Sequence, residues 1–327
     1  MFYPLLAISH PYQGKTFWEF LLLFMQRMGR LSIGQLPIHQ LASDEIQVLV
    51  LVGVALSSAL VGTFLVLRRM TMLANSLSHT ILIGIVIAYF LTAFSGGTSG
   101  DSLPNMYVLL GASLFMGFVT TFLTAFLTKK GRLQEDASTG LVFTSLFALG
   151  VILVTVLTRD SHIGIEAVMG NADALHSKDL FWVYVVAIAN AFIFILFFKE
   201  FNMSTFDEGL TKALGYSPVF FTYLLMAQVS ATSITSFRAV GVLLVLACMT
   251  GPPLAARLLA KRLHTTLLYA ALFGVCCAMI GVAITRHVLT VYDIALSTAG
   301  VVSCTILCCY LITLLASSSC FRSKRIN

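Results

Sequence analysis

Two polar residues within a long apolar stretch are the first candidates for chemistry. Asn75 and His79 lie four residues apart, and His79 is the only histidine within the clearly apolar runs of the chain. On a helix this spacing places both side chains on one face, about one turn apart. An amide oxygen and an imidazole nitrogen so arranged can bind a divalent cation in transit. The spacing leaves a second interpretation open, in which His79 hydrogen-bonds to a neighbouring helix and only stabilises packing.

A second polar group lies further along the chain, in the apolar run 218–237. Gln228, Thr232 and Thr235 fall on one helical face, which predicts that they line a polar path. Hydroxyl side chains at tight helix contacts give the same pattern without any role in transport. Both interpretations remain open from the sequence.

The segment before that run combines charged residues with helix-ending signals. Asp207, Glu208 and Lys212 are interspersed with apolar residues, which predicts a short amphipathic helix. Gly215 is placed to end this helix and Pro218 to begin the next one. A helix of this kind between two long apolar runs is suited to dock a soluble partner, and an ordinary loop is the alternative.

The amino-acid composition indicates whether the chain folds in water or in a lipid bilayer. Hydrophobic residues make up 58% of the 327 residues, charged residues only 10%, and the mean hydropathy is +0.93. Because soluble domains carry about 25% charged residues, a compact soluble monomer is excluded and a lipid bilayer is indicated. The net charge of +6 does not indicate nucleic-acid binding, since no basic patch is interleaved with aromatic residues.

Long apolar runs supply the elements. A spanning helix needs roughly 20 apolar residues, and nine runs contain no Asp, Glu, Lys or Arg: 46–67, 74–95, 105–128, 137–158, 180–198, 218–237, 239–256, 265–285 and 294–321. Only Arg238 separates the sixth and seventh runs, so they form either a tight hairpin or a broken pair. We therefore predict an all-α integral membrane protein, a polytopic bundle of about eight to nine transmembrane helices.

The distribution of Lys and Arg predicts the orientation, because cytoplasmic loops are enriched in these residues. With Arg68 and Arg69 inside, 13 basic residues lie on the cytoplasmic side and 7 on the other. We therefore expect a transmembrane domain over 46–321, with a cytoplasmic segment 199–217 and a basic cytoplasmic tail 322–327. The N-terminal arm, residues 1–45, either lies along the membrane as an amphipathic helix or adds one crossing.

Missing motifs narrow the function. The chain has no GxxxxGK[ST] phosphate loop and no HExxH motif, so we expect neither an ATPase site nor an intramembrane metalloprotease. The runs also lack paired carboxylates, which argues against an enzyme. A secondary transporter or channel that uses His79 as an ion or proton relay remains an alternative.

Five blocks of the chain resemble, in order, the permease subunits of bacterial ABC importers for manganese, zinc and iron. Three blocks resemble sequence motifs of the family: 68–88 its Arg-rich turn before Gly-Asp-Ala-Leu-Ser-His, 135–150 its Glu-Asp-x-x-x-Gly-Ile-x-Phe, and 239–252 its Ala-Val-Gly followed by Gly-Pro. The other two resemble loops of the family: 168–179 an external loop, and 206–215 the cytoplasmic coupling segment. The resemblance extends from about residue 45 to 315 and implies a type II ABC importer-like fold.

The resemblance also implies an assembly and roles for particular residues. It implies a second permease chain, two copies of a cytoplasmic subunit that binds ATP, and an extracytoplasmic metal-binding protein, all serving transport across the bacterial plasma (inner) membrane. It implies that Asn75 and His79 contribute to the cation path. The residues implied to couple transport to the ATPase are Asp207, Glu208, Ala213 and Gly215.

One departure from the family pattern changes the expected charge of the cation path. Asn75 stands where the family has Asp, and a neutral amide binds a hard cation less strongly than a carboxylate. A homodimer would present only neutral ligands from this motif, which leaves a dication uncompensated in a low-dielectric path. We therefore expect a heterodimer with a paralogue that carries Asp, the alternative being a homodimer with a weak site.

Overall fold

The computed structural model describes residues 12, 16–32, 41–72, 75–76, 80, 83–84, 86–88, 106–157, 172, 175 and 177–323. All the regular elements within this part of the chain are helices. They are α1 Phe17–Ser32, α2 Ser43–Leu67, α3 Met106–Gly131, α4 Glu135–Leu157, α5 Ser177–Leu196, α6 Phe198–Phe206, α7 Glu208–Ala213, α8 Pro218–Val240, α9 Val242–Leu259, α10 Leu263–Tyr292 and α11 Thr298–Ser323. The predicted all-α fold is confirmed.

Seven of these helices are long and apolar enough to cross a membrane, namely α2, α3, α5, α8, α9, α10 and α11. Helix α4 contributes a shorter apolar stretch, Ala137–Leu153. The predicted run 74–95 lies mostly outside the described residues, and those described between 75 and 88 are helical. These helices agree with the predicted bundle of about eight to nine spans.

Helix α2 is the centre of the bundle. It packs against α5, α8, α9 and α10, and 78% of its most apolar window is buried, compared with 17% for α11. Close approach of α9 to α2 requires Gly62, because a Cβ there would lie 2.0 Å from the carbonyl oxygen of Met249. Small residues at helix contacts are typical of membrane bundles, where packing replaces the hydrophobic driving force.

The sixth and seventh predicted spans are two helices joined by a single residue. The break is at Gly241 and not at Arg238, which lies inside α8. Gly241 has φ 87°, a backbone conformation that glycine adopts readily and other residues rarely do. The single residue separates two helices with different neighbours: α8 packs on α3 and α5, and α9 packs on α10 and α11.

The N-terminal helix α1 lies across one end of the bundle. The Phe17 N–H donates to Nδ1 of His287 at 3.3 Å, and Arg27 forms an ion pair with Glu45. Phe17 and Arg27 are about 15 Å apart along the helix axis, and they contact α10 and α2 respectively, at ends that the Arg286–Asp44 ion pair also joins. The fully buried Glu45 also accepts hydrogen bonds from the Tyr12 hydroxyl at 2.7 Å and from the Ala42 N–H at 2.8 Å.

Candidate functional site

The predicted cation-binding pair is described only in part. His79 lies outside the described residues. Asn75 is helical and half-buried, and the next residue, Ser76, is buried with no hydrogen-bond partner for its hydroxyl among the described residues. One turn further, the Thr120 hydroxyl of α3 donates to the Thr80 hydroxyl at 3.1 Å. The segment that carries Asn75 therefore packs against α3.

A polar cluster occupies the interior between α2, α5 and α8. The Asn190 amide donates to the Ser57 hydroxyl at 2.8 Å and to the Thr232 hydroxyl at 2.7 Å. Thr232 donates its own proton to the Gln228 carbonyl at 2.8 Å, so its oxygen is free to accept from the amide. The structure thus brings Gln228 and Thr232, both predicted from the sequence, together with Ser57 and Asn190, which the prediction missed.

Buried polar atoms without a hydrogen-bond partner among the described residues lie on the same helices, α2 and α8, that form this cluster. The Gln228 amide oxygen and the Ser58 and Ser233 hydroxyls are buried without a partner in the described part of the chain. Buried polar atoms are almost always hydrogen-bonded, so each such group requires an explanation. The hydroxyl of Thr235, the third residue predicted for this face, donates to carbonyls of its own helix, Ala231 at 2.7 Å and Thr232 at 3.1 Å.

The cytoplasmic segment 199–217, from here on called the coupling segment, contains the predicted short helix as α7. The Asp207 carboxylate accepts from the Leu210 N–H at 2.9 Å and caps the N-terminus of this helix. The helix ends before Gly215, which has φ 83°. Glu208 and Ala213, the first and last residues of α7, are exposed together with Asp207 and Gly215.

Large apolar side chains are also exposed around α7. They are Phe206, Leu210, Leu214, Tyr216, Val219 and Phe220, all more than 40% exposed. Exposed apolar side chains concentrated in one segment are typical of a surface that contacts another protein or the membrane. The four predicted coupling residues therefore lie in the same short segment as a set of exposed apolar side chains.

Arg68 joins this segment to the central helix, which the sequence did not indicate. Its Nε, Nη1 and Nη2 donate to the hydroxyls of Thr205 at 3.1 Å, Thr222 at 3.0 Å and Ser204 at 2.9 Å. Burial lowers the pKa of Arg68 to about 10, and nearby Glu208 acts in the opposite direction. The guanidinium remains charged at neutral pH, so its three hydrogen bonds are charge-assisted and strong.

The sequence profile of the ABC 3 transport family matches residues 45–317. The chain belongs to this family. As an ABC-3 permease it is a multi-pass bacterial membrane protein and the non-catalytic membrane component of an ABC transporter complex. This confirms the predicted family and the predicted permease role, and helix α1 lies outside the matched region.

Relatives of this permease cover most of its length. It is 38% identical to the "Probable metal transport system membrane protein" of Chlamydia muridarum (strain MoPn / Nigg), over 94% of this chain and 95% of the relative. It is 40% identical to the manganese transport system membrane protein MntD of Bacillus subtilis (strain 168), over 71% and 79%. It is 34% identical to the zinc transport system membrane protein TroD of Treponema pallidum (strain Nichols), over 63% and 57%.

Solved structures share the fold. One chain of PsaBC from Streptococcus pneumoniae, in complex with Fab, superposes with a TM-score of 0.70 at 22% identity, covering 90% of this chain and 95% of that one. A second transporter, in an inward-facing conformation, superposes with a TM-score of 0.59 at 16% identity, covering 83% and 85%. The type II ABC importer permease fold is confirmed by these superpositions.

Proposed function

We propose that this ABC-3 permease imports a divalent metal cation, manganese or zinc, driven by a cytoplasmic ATPase and supplied by an extracytoplasmic metal-binding protein. The observation that carries the proposal is the 38% identity, over 94% of the chain, to a protein described as a metal transport system membrane protein. Relatives described as manganese and zinc transport proteins support the choice of cation.

Within this proposal, Asn75 and His79 are the first candidates for cation ligands. The half-buried position of Asn75 and the buried Ser76 hydroxyl beside it support a polar environment at the start of this segment. The motif contains no carboxylate, so a second permease chain with Asp at the matching position would supply the charge that a dication needs. Gln228 and Thr232 are secondary candidates for lining the cation path, because their polar side chains lie inside the bundle.

The same proposal assigns ATPase docking to the coupling segment. Its support is the capped helix α7, with Asp207 at its start and Gly215 after its end, surrounded by exposed apolar side chains. ATP binding by the docked subunit would then bias the bundle between outward-open and inward-open states, because the two states differ in how they contact that subunit.

The N-terminal arm is part of the proposal as an interfacial element on the extracytoplasmic side. Helix α1 buries Phe20 and Phe24 against the bundle and exposes Trp18, Leu22 and Met25 on an adjacent face. An amphipathic helix that crosses the ends of spanning helices is suited to the membrane–water boundary. In this arrangement the arm is not a ninth crossing.

Metal uptake by reconstituted vesicles tests the function. The permease is purified together with its ATPase, in one preparation without and in another with a candidate paralogue. Uptake of Mn²⁺ and Zn²⁺ into the vesicles is then measured with ATP supplied on the side of the membrane that the coupling segment faces. A variant ATPase without its phosphate-loop Lys is the control and should abolish uptake. ATP-independent uptake that survives in that control would contradict the proposal.

A further inference from the structure

A cavity of about 500 Å³ opens between the end of α2, helix α3 and the coupling segment. Arg68 lies in its wall and donates to three hydroxyls, as described above. Thr205 and Thr222 pass their own protons to the carbonyls of Phe201 at 2.7 Å and Pro218 at 3.1 Å. Both hydroxyls therefore act only as acceptors toward the guanidinium and do not neutralise its charge.

The guanidinium retains both charge and donors for a further group. Of its five N–H groups, three are used, which leaves one on each Nη nitrogen. In the described part of the chain no carboxylate lies within ion-pair distance of Arg68. Guanidinium N–H groups donate strong, charge-assisted hydrogen bonds to the oxygens of a phosphate or carboxylate.

Two other side chains of the wall favour an anion. Lys212 lines the cavity and lies 4.0 Å from Glu208, which also lines it, so the described wall carries two cations and one carboxylate. The Thr124 hydroxyl of α3 also belongs to the wall and is 4% exposed, with no hydrogen-bond partner among the described residues. It can donate to an anion that Arg68 binds.

An apolar stripe runs beside the cavity along α3, toward the middle of that helix. Phe118, Phe122 and Phe126 are about half exposed, and consecutive rings stack at 6.5 and 6.4 Å between centroids. Tyr223 lines the cavity and its ring lies 5.3 Å from that of Phe118. The stripe extends about 12 Å along the helix axis, which is long enough for the first part of an acyl chain.

We propose that this cavity binds an anionic phospholipid. Its phosphate contacts Arg68, with Lys212 and Thr124 beside it, and an acyl chain follows the phenylalanine stripe. Basic pockets between transmembrane helices are suited to anionic headgroups, and the stripe distinguishes a lipid from a free anion. The placement of this lipid in the cytoplasmic leaflet rests on the orientation used in the proposed function, whereas the binding itself does not. The bound lipid would bridge α2, α3 and the coupling segment.

Lipid retention by the full-length permease tests this inference. The protein is purified in detergent, incubated with phosphatidylglycerol or phosphatidylcholine, and the retained lipid is counted by native mass spectrometry. Wild type should retain phosphatidylglycerol preferentially. Lys212→Gln should weaken this retention about fivefold, from the contribution of one basic residue near a membrane surface, and Thr124→Val should weaken it without changing any charge. Lys199→Gln, an exposed site outside the cavity, is the matched control and should retain the lipid as wild type does.

Three outcomes would overturn the inference. The first is equal retention of the two lipids by wild type. The second is equal phosphatidylglycerol retention by wild type, Lys212→Gln and Lys199→Gln. The third is displacement of the lipid by inorganic phosphate alone, which would identify a site for a free anion. None of these measurements depends on metal uptake, so their failure is distinguishable from failure of the proposed function.

Discussion

Substituting Gly62 with alanine tests the contact on which the centre of the bundle depends. A Cβ there would lie 2.0 Å from the carbonyl oxygen of Met249 and 2.8 Å from its carbonyl carbon. Unbonded carbon and oxygen atoms in proteins approach to about 3.3 Å. Helices α2 and α9 must therefore separate by about 1.3 Å at this point, and backbone atoms cannot turn aside as a side chain can.

The magnitude follows from two opposing effects. Overpacking in a close-packed interior costs about 1–3 kcal/mol, and the upper end applies because the obstacle is backbone. Replacing glycine within a helix by alanine stabilises the folded protein by about 1 kcal/mol, because alanine has the higher helix propensity. We expect a net loss of about 2 kcal/mol, which corresponds to a fall of about 4–8 °C in Tm, at about 2–4 °C per kcal/mol.

Gly111→Ala in α3 is the matched control, because a Cβ at Gly111 has no neighbour within 4 Å. This variant should be as stable as wild type or slightly more so. The measurement is the fraction of protein that remains monodisperse by gel filtration after heating in detergent, from which an apparent Tm is taken. Equal apparent Tm values for Gly62→Ala and Gly111→Ala would refute the close approach of α2 and α9.

Three further predictions concern the arm, the coupling segment and the cation path. Arg27→Met leaves the buried Glu45 carboxylate without its cation and should cost about 3 kcal/mol, measured as a lower Tm, with Arg27→Met/Glu45→Gln milder. Gly215→Pro cannot adopt φ 83° and should uncouple ATP hydrolysis from uptake in a complex that still inserts; normally coupled hydrolysis would contradict this. His79→Ala should strongly reduce uptake, and Asn75→Asp should tighten metal binding in a titration; wild-type values in both would place the pair off the path.

The spanning helices could be predicted because lipid leaves the backbone few alternatives. An uncharged run of sufficient length must form a helix, since only helices and closed barrels satisfy their backbone groups in a bilayer. The predicted run 46–67 thus lies within α2, and 265–285 within α10. The boundary at Arg238 was wrong because a charge at a helix end does not end the helix, whereas the backbone conformation of Gly241 does.

The side-chain contacts could be predicted only where they are local. Asp207, Gly215 and Pro218 act within a few residues of α7, so their pattern was sufficient. The partners of Arg68 lie more than 130 residues away in sequence, and no local pattern specifies them. Asn190 offered one signal, since it is the only amide side chain in the run 180–198. The roles of Asn75 and His79 stay predictions.

Arg68 and Gly62 together connect the surface segment to the centre of the bundle. Arg68 follows α2 directly and hydrogen-bonds to α6 and α8, so displacement of the coupling segment acts on the end of α2. Gly62, less than two turns earlier, lies against the backbone of α9. Close-packed interiors transmit strain because they have low compressibility. We therefore expect a movement that begins at the proposed docking surface to displace α2 and α9 together, and α2 carries Ser57, part of the buried polar cluster.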